Sequence, residues 1–429
     1  MHALRRRSDR PAPRVSRWTV AIGGAVALTS GLLTVTAATS VAAAAPPPPG
    51  TVISSTTTSI DALGLPLSVA AWHLVYASTN THGRPVDDIA TVLLPNVASP
   101  TSPRPLVSYQ VAEDSLGTSC APSNEMAAGD EAEEPLILAA LEQGWAVVVP
   151  DYEGPNSEWT AGVQAGHAVL DGITAAERFS PLGLDGSATP VGLWGYSGGG
   201  QASAWASELA PTYAPRLDIV GVAEGGVPPN IADVANKING GPFSGLYFGA
   251  ALGLARAYSN LVDTSTLLNS LGQSKAASLA SACVEQLAGE GAFQPIEWYT
   301  VNGIDPLTLP NVQQVVADDA LGQRIPKAPI FLYMSANDEL IPVADDDALV
   351  AKYCSEGVTV DYIKDELSDH ISLAVSGAGA AIDYLNSRFA NQPAPSTCAT
   401  GPSTTLSTLA STQALITFLT AITGLTGFL

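Results

Sequence analysis

The chain has 429 residues, 46% of them apolar and only 14% charged. That composition supplies a large core and excludes a disordered or fibrous chain, since such chains are poor in apolar residues. Eighteen basic against 40 acidic groups give a net charge of −22, which excludes a nucleic-acid binder that works through a basic face.

Residues 1–18 carry Arg5, Arg6, Arg7, Arg10, Arg14 and Arg17 against one acid, Asp9. No charge follows from Thr19 to Val41, and a run of alanines then precedes four prolines. A basic head, an apolar middle and a small-residue end describe a secretory signal over residues 1–45. Cleavage is expected near Ala43. The competing reading is an uncleaved anchor, because the apolar run approaches the length that spans a bilayer; the small residues at its end favour the signal. Export leaves 12 basic and 39 acidic groups, a net charge of −27, and Cys120, Cys283, Cys354 and Cys398. An even cysteine count in a secreted chain reads as two disulfides, with three connectivities open.

Pro46 to Gly50 is a short stiff linker. Apolar, β-branched runs then follow at Ala71–Ala77, Ile89–Leu94, Leu106–Tyr109, Ala146–Val149, Val191–Trp194, Ile219–Ala223, Ile330–Met334 and Val358–Ile363. Helical patterns fall at Glu134–Gln143, Gly162–Arg178, Gly199–Leu209, Ala344–Tyr353 and Ser372–Phe389. Continuous apolar strands alternating with helices predict an α/β fold, a mostly parallel sheet with both faces covered. The alternation breaks once, for about a hundred residues between the strands near Gly225 and Ile330, far beyond an ordinary connection. This segment reads as a helical insertion, either a plain second subdomain or a lid hinged near Gly240–Gly241. The chain thus divides into a first core part, 46–227, an insertion, 228–327, and a second core part, 328–400. A tail without charge, 401–429, reads as a packed terminal element in preference to a flap or a membrane-surface segment.

The chemistry centres on Gly195-Tyr196-Ser197-Gly198-Gly199. In a chain with 39 glycines the G-x-S-x-G spacing alone is weak evidence. The strand before it and the helix after it raise its weight: a serine on such a sharp turn projects its hydroxyl above the sheet. A serine is a poor nucleophile until a base takes its proton. In the order nucleophile, acid, base of this architecture, only His370 follows Ser197; His73, His82 and His167 precede it and read as structural or exposed. The acid belongs on a strand end between the two. Asp338 fits best, with Glu339 as runner-up. Asp345, Asp346 and Asp347 read as a solvated helix cap, and Asp369 adjoins His370 too closely for triad geometry. Gly198 supplies one oxyanion N–H; the second should come from Gln110–Ser115, where composition does not choose among donors.

Six ordered motifs carry a resemblance: YQVAEDS at Tyr109–Ser115, PDYEGP at Pro150–Pro155, LDGITAA at Leu170–Ala176, GYSGGG at Gly195–Gly200, NDELIP at Asn337–Pro342 and SDH at Ser368–His370. Together they resemble the secretory lipase family, the lipase A type. The resemblance implies an α/β-hydrolase fold with a helical lid inserted before the acid's strand. It implies Ser197 as nucleophile, Asp338 as acid, His370 as base, and Asp114 beside Gly198 as oxyanion donor. It further implies the disulfides Cys120–Cys283 and Cys354–Cys398. The tail holds no recognisable counterpart of the yeast-type C-terminal flap.

The expected function is a secreted carboxylic ester hydrolase, a lipase or esterase working through an acyl-enzyme on a lipid or other ester, in reach of a lipid–water interface. That chemistry needs no metal or organic cofactor. A serine peptidase or an acyltransferase on the same fold is the alternative; the large apolar insertion favours lipid over peptide.

Overall fold

The computed structural model describes residues 45–62 and 65–410. The expected leader, apart from its last residue, and the tail beyond Ala410 lie outside the described residues. A ten-stranded sheet organises the chain. Its strands are β1 (Val52–Thr58), β2 (Ala70–Thr79), β3 (Pro85–Leu94), β4 (Leu106–Gln110), β5 (Ala146–Pro150), β6 (Pro190–Tyr196), β7 (Asp218–Gly225), β8 (Ile330–Ser335), β9 (Val360–Asp365) and β10 (Ser403–Thr405). Their spatial order is β1-β2-β3-β5-β4-β6-β7-β8-β9-β10. The first three pairings are antiparallel and the other six parallel. Every residue of β4, β5 and β8 is buried, as a parallel sheet covered on both faces requires.

The helices are α1 (Pro122–Ala128), α2 (Glu134–Glu142), α3 (Gly162–Arg178), α4 (Gly198–Tyr213), α5 (Ile231–Ile238), α6 (Ser244–Ala257), α7 (Thr264–Leu267), α8 (Ser270–Ser278), α9 (Val284–Gly291), α10 (Pro310–Asp318), α11 (Val343–Ser355), α12 (His370–Ser376) and α13 (Ala378–Phe389). One core layer packs Val169 and Ile173 of α3, Trp205 of α4 and Leu349 of α11 on one face of the sheet. The other packs Ile137 and Leu138 of α2 with Ile382 and Leu385 of α13 on the opposite face. The mostly parallel sheet covered on both faces, expected from the alternation, is present, in keeping with the α/β-hydrolase fold that the resemblance implies.

Two edge strands carried no apolar signal. β1 is nearly all exposed Ser and Thr, and β10 is three polar residues pairing parallel to β9. An edge strand facing water needs no buried alternation, so its pattern is faint. The start of the tail is thus a sheet edge: Thr408 N–H donates to Asp365 Oδ2 at 2.6 Å. The single helix expected over Ser372–Phe389 breaks at Gly377 into α12 and α13. Between β7 and β8 the regular elements are the helices α5 to α10 and short 3₁₀ turns, joined by loops, with one isolated bridge. Cys120–Cys283 ties this cap to the loop after β4, and Cys354–Cys398 ties α11 to the chain before β10. Among the described residues no helix is long and apolar enough to cross a membrane.

Candidate active site

Ser197 sits between β6 and α4 with φ 54°, ψ −119°. A non-glycine residue there is strained and persists only where its surroundings hold it. The surroundings are visible: Ser197 N–H donates to Gly225 O at 2.9 Å. The turn also needs its glycines. A Cβ on Gly199 would lie 1.9 Å from Gln110 O, and one on Gly195 would lie 2.2 Å from Gly199 O. Both obstacles are backbone and cannot yield cheaply. Gly199→Ala is therefore expected to abolish folding or cost several kcal/mol, read as soluble yield and melting temperature.

β8 and β9 deliver the other two groups. His370 opens α12, and its Nε2 lies 2.8 Å from Ser197 Oγ. Its Nδ1 lies 2.6 Å from Asp338 Oδ2. Asp338 Oδ1 accepts N–H bonds from Leu340 at 2.8 Å and Ile341 at 2.6 Å, so the carboxylate is fixed at both oxygens. Glu339 plays a different part from its neighbour: its Oε2 accepts the backbone N–H of His370 at 2.8 Å. Tyr196 OH donates to His370 O at 2.6 Å. Asp369 caps α12 in a reciprocal box with Ser372, which explains why it does not reach the imidazole. The solvated-cap reading fails for Asp346, which is wholly buried with both side-chain oxygens unpartnered; Asp347 does face outward, to Lys364. Its neighbours in sequence suggested a helix-start trio, but three consecutive helical positions cannot share one face.

Asp114, at φ 41°, stands beside Gly198: a Cβ on that glycine would meet Asp114 Oδ1 at 2.0 Å. Trp159 Nε1 donates to the same oxygen at 2.7 Å. Burial pushes Asp114 up to about 6, against the pull of the Trp159 hydrogen bond and of His370. Ser197, Gly198 and Asp114 open into a cavity whose remaining walls are mostly cap side chains, among them Val234, Ile238, Leu246 and Leu254, with Leu340 and Ile341 from the loop after β8.

Residues 122–397 match the secretory lipase family. The chain belongs to that family. This secretory lipase is 38% identical over 341 residues to Lipase A of Arthroderma benhamiae, covering 76% of this chain and 72% of the relative. It is 36% identical to a Mycobacterium tuberculosis chain named "Probable inactive lipase", over 77% and 76% of the two. The structure of Candida antarctica lipase A in its closed state matches with a TM-score of 0.78 and 28% identity, over 86% of this chain and 89% of that one. Membership makes the protein a carboxylic ester hydrolase with lipid or other ester substrates.

Its remaining histidines stand apart from Ser197 in the bonds they make: His82 Nε2 lies 2.8 Å from Ala257 O, and His167 stacks on Tyr213. Sequence reasoning missed Trp159 and Tyr196, whose partners lie 45 and 174 residues away. No local spacing signals such pairs.

Proposed function

We propose that this lipase hydrolyses acyl esters by a Ser197–His370–Asp338 relay through an acyl-enzyme, with long-chain esters of the triacylglycerol type as substrates. The observation that carries the reading is the continuous chain of short contacts, Ser197 Oγ to His370 Nε2 to Asp338, opening into an apolar cavity. Ser197 Oγ attacks the ester carbonyl as its proton passes to His370 Nε2. Asp338 holds the imidazole and stabilises the imidazolium. The N–H groups of Gly198 and Asp114 receive the developing oxyanion. Collapse passes the proton to the leaving alcohol, and a water activated by the same imidazole releases the acid. The acyl chain lies along the cap-lined cavity, so residues 228–327 act as the lid. The two disulfides agree with an oxidising, extracellular destination, reached through the N-terminal leader.

A series of p-nitrophenyl esters from acetate to palmitate, with and without an emulsion, tests this. We expect kcat/KM to rise with chain length by about tenfold or more, since each buried methylene contributes up to about 0.8 kcal/mol. A preference for acetate, or peptides cleaved faster than any ester, overturns it.

A further inference from the structure

Four backbone carbonyls from three separate segments converge on one side chain of the cap. Arg256, in the last turn of α6, donates through Nη1 to Leu116 O at 2.8 Å, Asn156 O at 2.8 Å and Ser157 O at 3.0 Å. Its Nη2 donates to Ala280 O at 2.8 Å. Leu116 lies two residues beyond Asp114, and Asn156–Ser157 lead directly into Trp159, whose indole N–H holds the Asp114 carboxyl. Both segments are strained. Asp114, Ser157 and Thr160 all have positive φ, at 41°, 45° and 65°. Such backbone holds only where its surroundings over-determine it.

The helix that carries Arg256 also lies directly on Trp159. A Cβ on Gly253 would come 2.6 Å from Trp159 Cβ, and one on Gly249 would come 2.6 Å from its Cζ3. α6 thus touches the Trp159 loop along one glycine stripe and grips its carbonyls at the end of that stripe. Other faces of the same helix line the cavity, through Leu246, Ala250, Ala251 and Leu254.

We propose that Arg256 is a positioning residue for the oxyanion hole: by pinning the two strained loops that carry Asp114 and Trp159, it makes the hole complete only while the cap helix α6 is seated. This rests on the reading of Asp114 as an oxyanion donor. A guanidinium suits the task because it presents five donors in a rigid plane and stays charged at every working pH. A lysine has three donors on a flexible stem and cannot span the same set of carbonyls. The oxyanion exists in the transition state and not in the bound ester, so the effect falls on kcat and leaves KM.

The test is R256M against W159F, which removes the indole N–H. We expect R256M to lower kcat about 30-fold, below the roughly 10²–10³ for deleting a donor outright, with KM within about twofold. A trifluoromethyl ketone, whose adduct with Ser197 carries the oxyanion, should lose affinity by the same factor, while the amide isostere of the substrate keeps its affinity. The double variant should fall short of the product of the single effects, because both act on one loop. Unchanged kcat, a loss confined to KM, or strictly multiplicative effects overturns the proposal. Should R256M not fold, R256K enters the same cycle, and a loss between wild type and W159F is expected. Ser197→Ala separates the two readings. Full activity in that variant removes the catalytic assignment, whereas an inactive Ser197→Ala beside an unaffected R256M removes only the role of Arg256.

Discussion

Ser197→Ala is expected to lower kcat by about four orders of magnitude or more, the usual cost of losing a triad nucleophile. The loss follows from where the hydroxyl stands. In the proposed mechanism it is the reacting atom, and among the described residues the oxygen 2.8 Å from His370 Nε2 is the Ser197 hydroxyl. Folding should be spared, because the strained turn is held by backbone contacts, Ser197 N–H to Gly225 O and the close approach of Gly199 to Gln110 O. Alanine at φ 54° is strained no less than serine, so the melting temperature should stay within about 2 °C. Hydrolysis of p-nitrophenyl butyrate gives the first quantity, and calorimetry gives the second. A fluorophosphonate should label wild type and leave the variant unlabelled. A variant that keeps a tenth of the activity would remove Ser197 from the mechanism.

Of the eight strands with apolar sequence, β4 to β9 lie in the parallel part of the sheet, where covered faces leave a nearly continuous hydrophobic run, while β2 and β3 pair antiparallel and were legible from their apolar and β-branched residues. β1 and β10 were not, because an exposed edge writes only a weak β-branched signal. Ser197 and His370 stood out for a topological reason, since one histidine follows the nucleophile in chain order. Asp338 was chosen over Glu339 by position after β8. The structure gives each a contact with His370, Asp338 to the ring and Glu339 to the backbone, a division that no spacing encodes. Arg256 was invisible for the same reason as Trp159: its partners sit 24 to 140 residues away, and an arginine near a helix end reads as an ordinary dipole partner. The misreading of Asp346 has a different origin. Charge at a helix start is usually solvated, and only packing reveals that Asp346 turns wholly inward and Asp345 partly so.

That inward carboxyl is one of several, and together they set the second large effect, a loss of stability as pH rises. Burial pushes Asp88 up to about 8, with a Ser78 hydrogen bond opposing. Burial, then the nearby Glu131, pushes Glu133 up to about 8, and burial with Glu208 does the same to Glu224. Asp151 and Asp171 rise to about 7, again through burial. In the unfolded chain these groups release their protons near pH 4. Between about pH 4 and 8 the folded state therefore binds more protons than the unfolded state, and stability falls as pH rises. The contribution is complete below about pH 4 and is lost through pH 7–8, where the buried groups must ionise in place or leave the core. Asp365 runs the other way: although burial pushes it up, backbone N–H bonds from Thr408, Ser368 and Leu367 hold it below the usual carboxylate range, so its contribution is lost only in strong acid. Self-repulsion of a chain at −22 adds to the alkaline loss. Thiolate exchange does not, since no free cysteine is present. We expect the melting temperature to be higher at pH 5 than at pH 9 by about 10 °C or more, given about 2–4 °C per kcal/mol for a large domain. Glu224 identifies the cause, because both its oxygens are buried without a partner. Glu224→Gln keeps the shape and cannot ionise, so its melting temperature should fall less steeply between pH 7 and 9. A melting temperature that climbs from pH 5 to pH 9, or an unchanged slope in Glu224→Gln, would mean that these carboxyls are ionised in the folded protein.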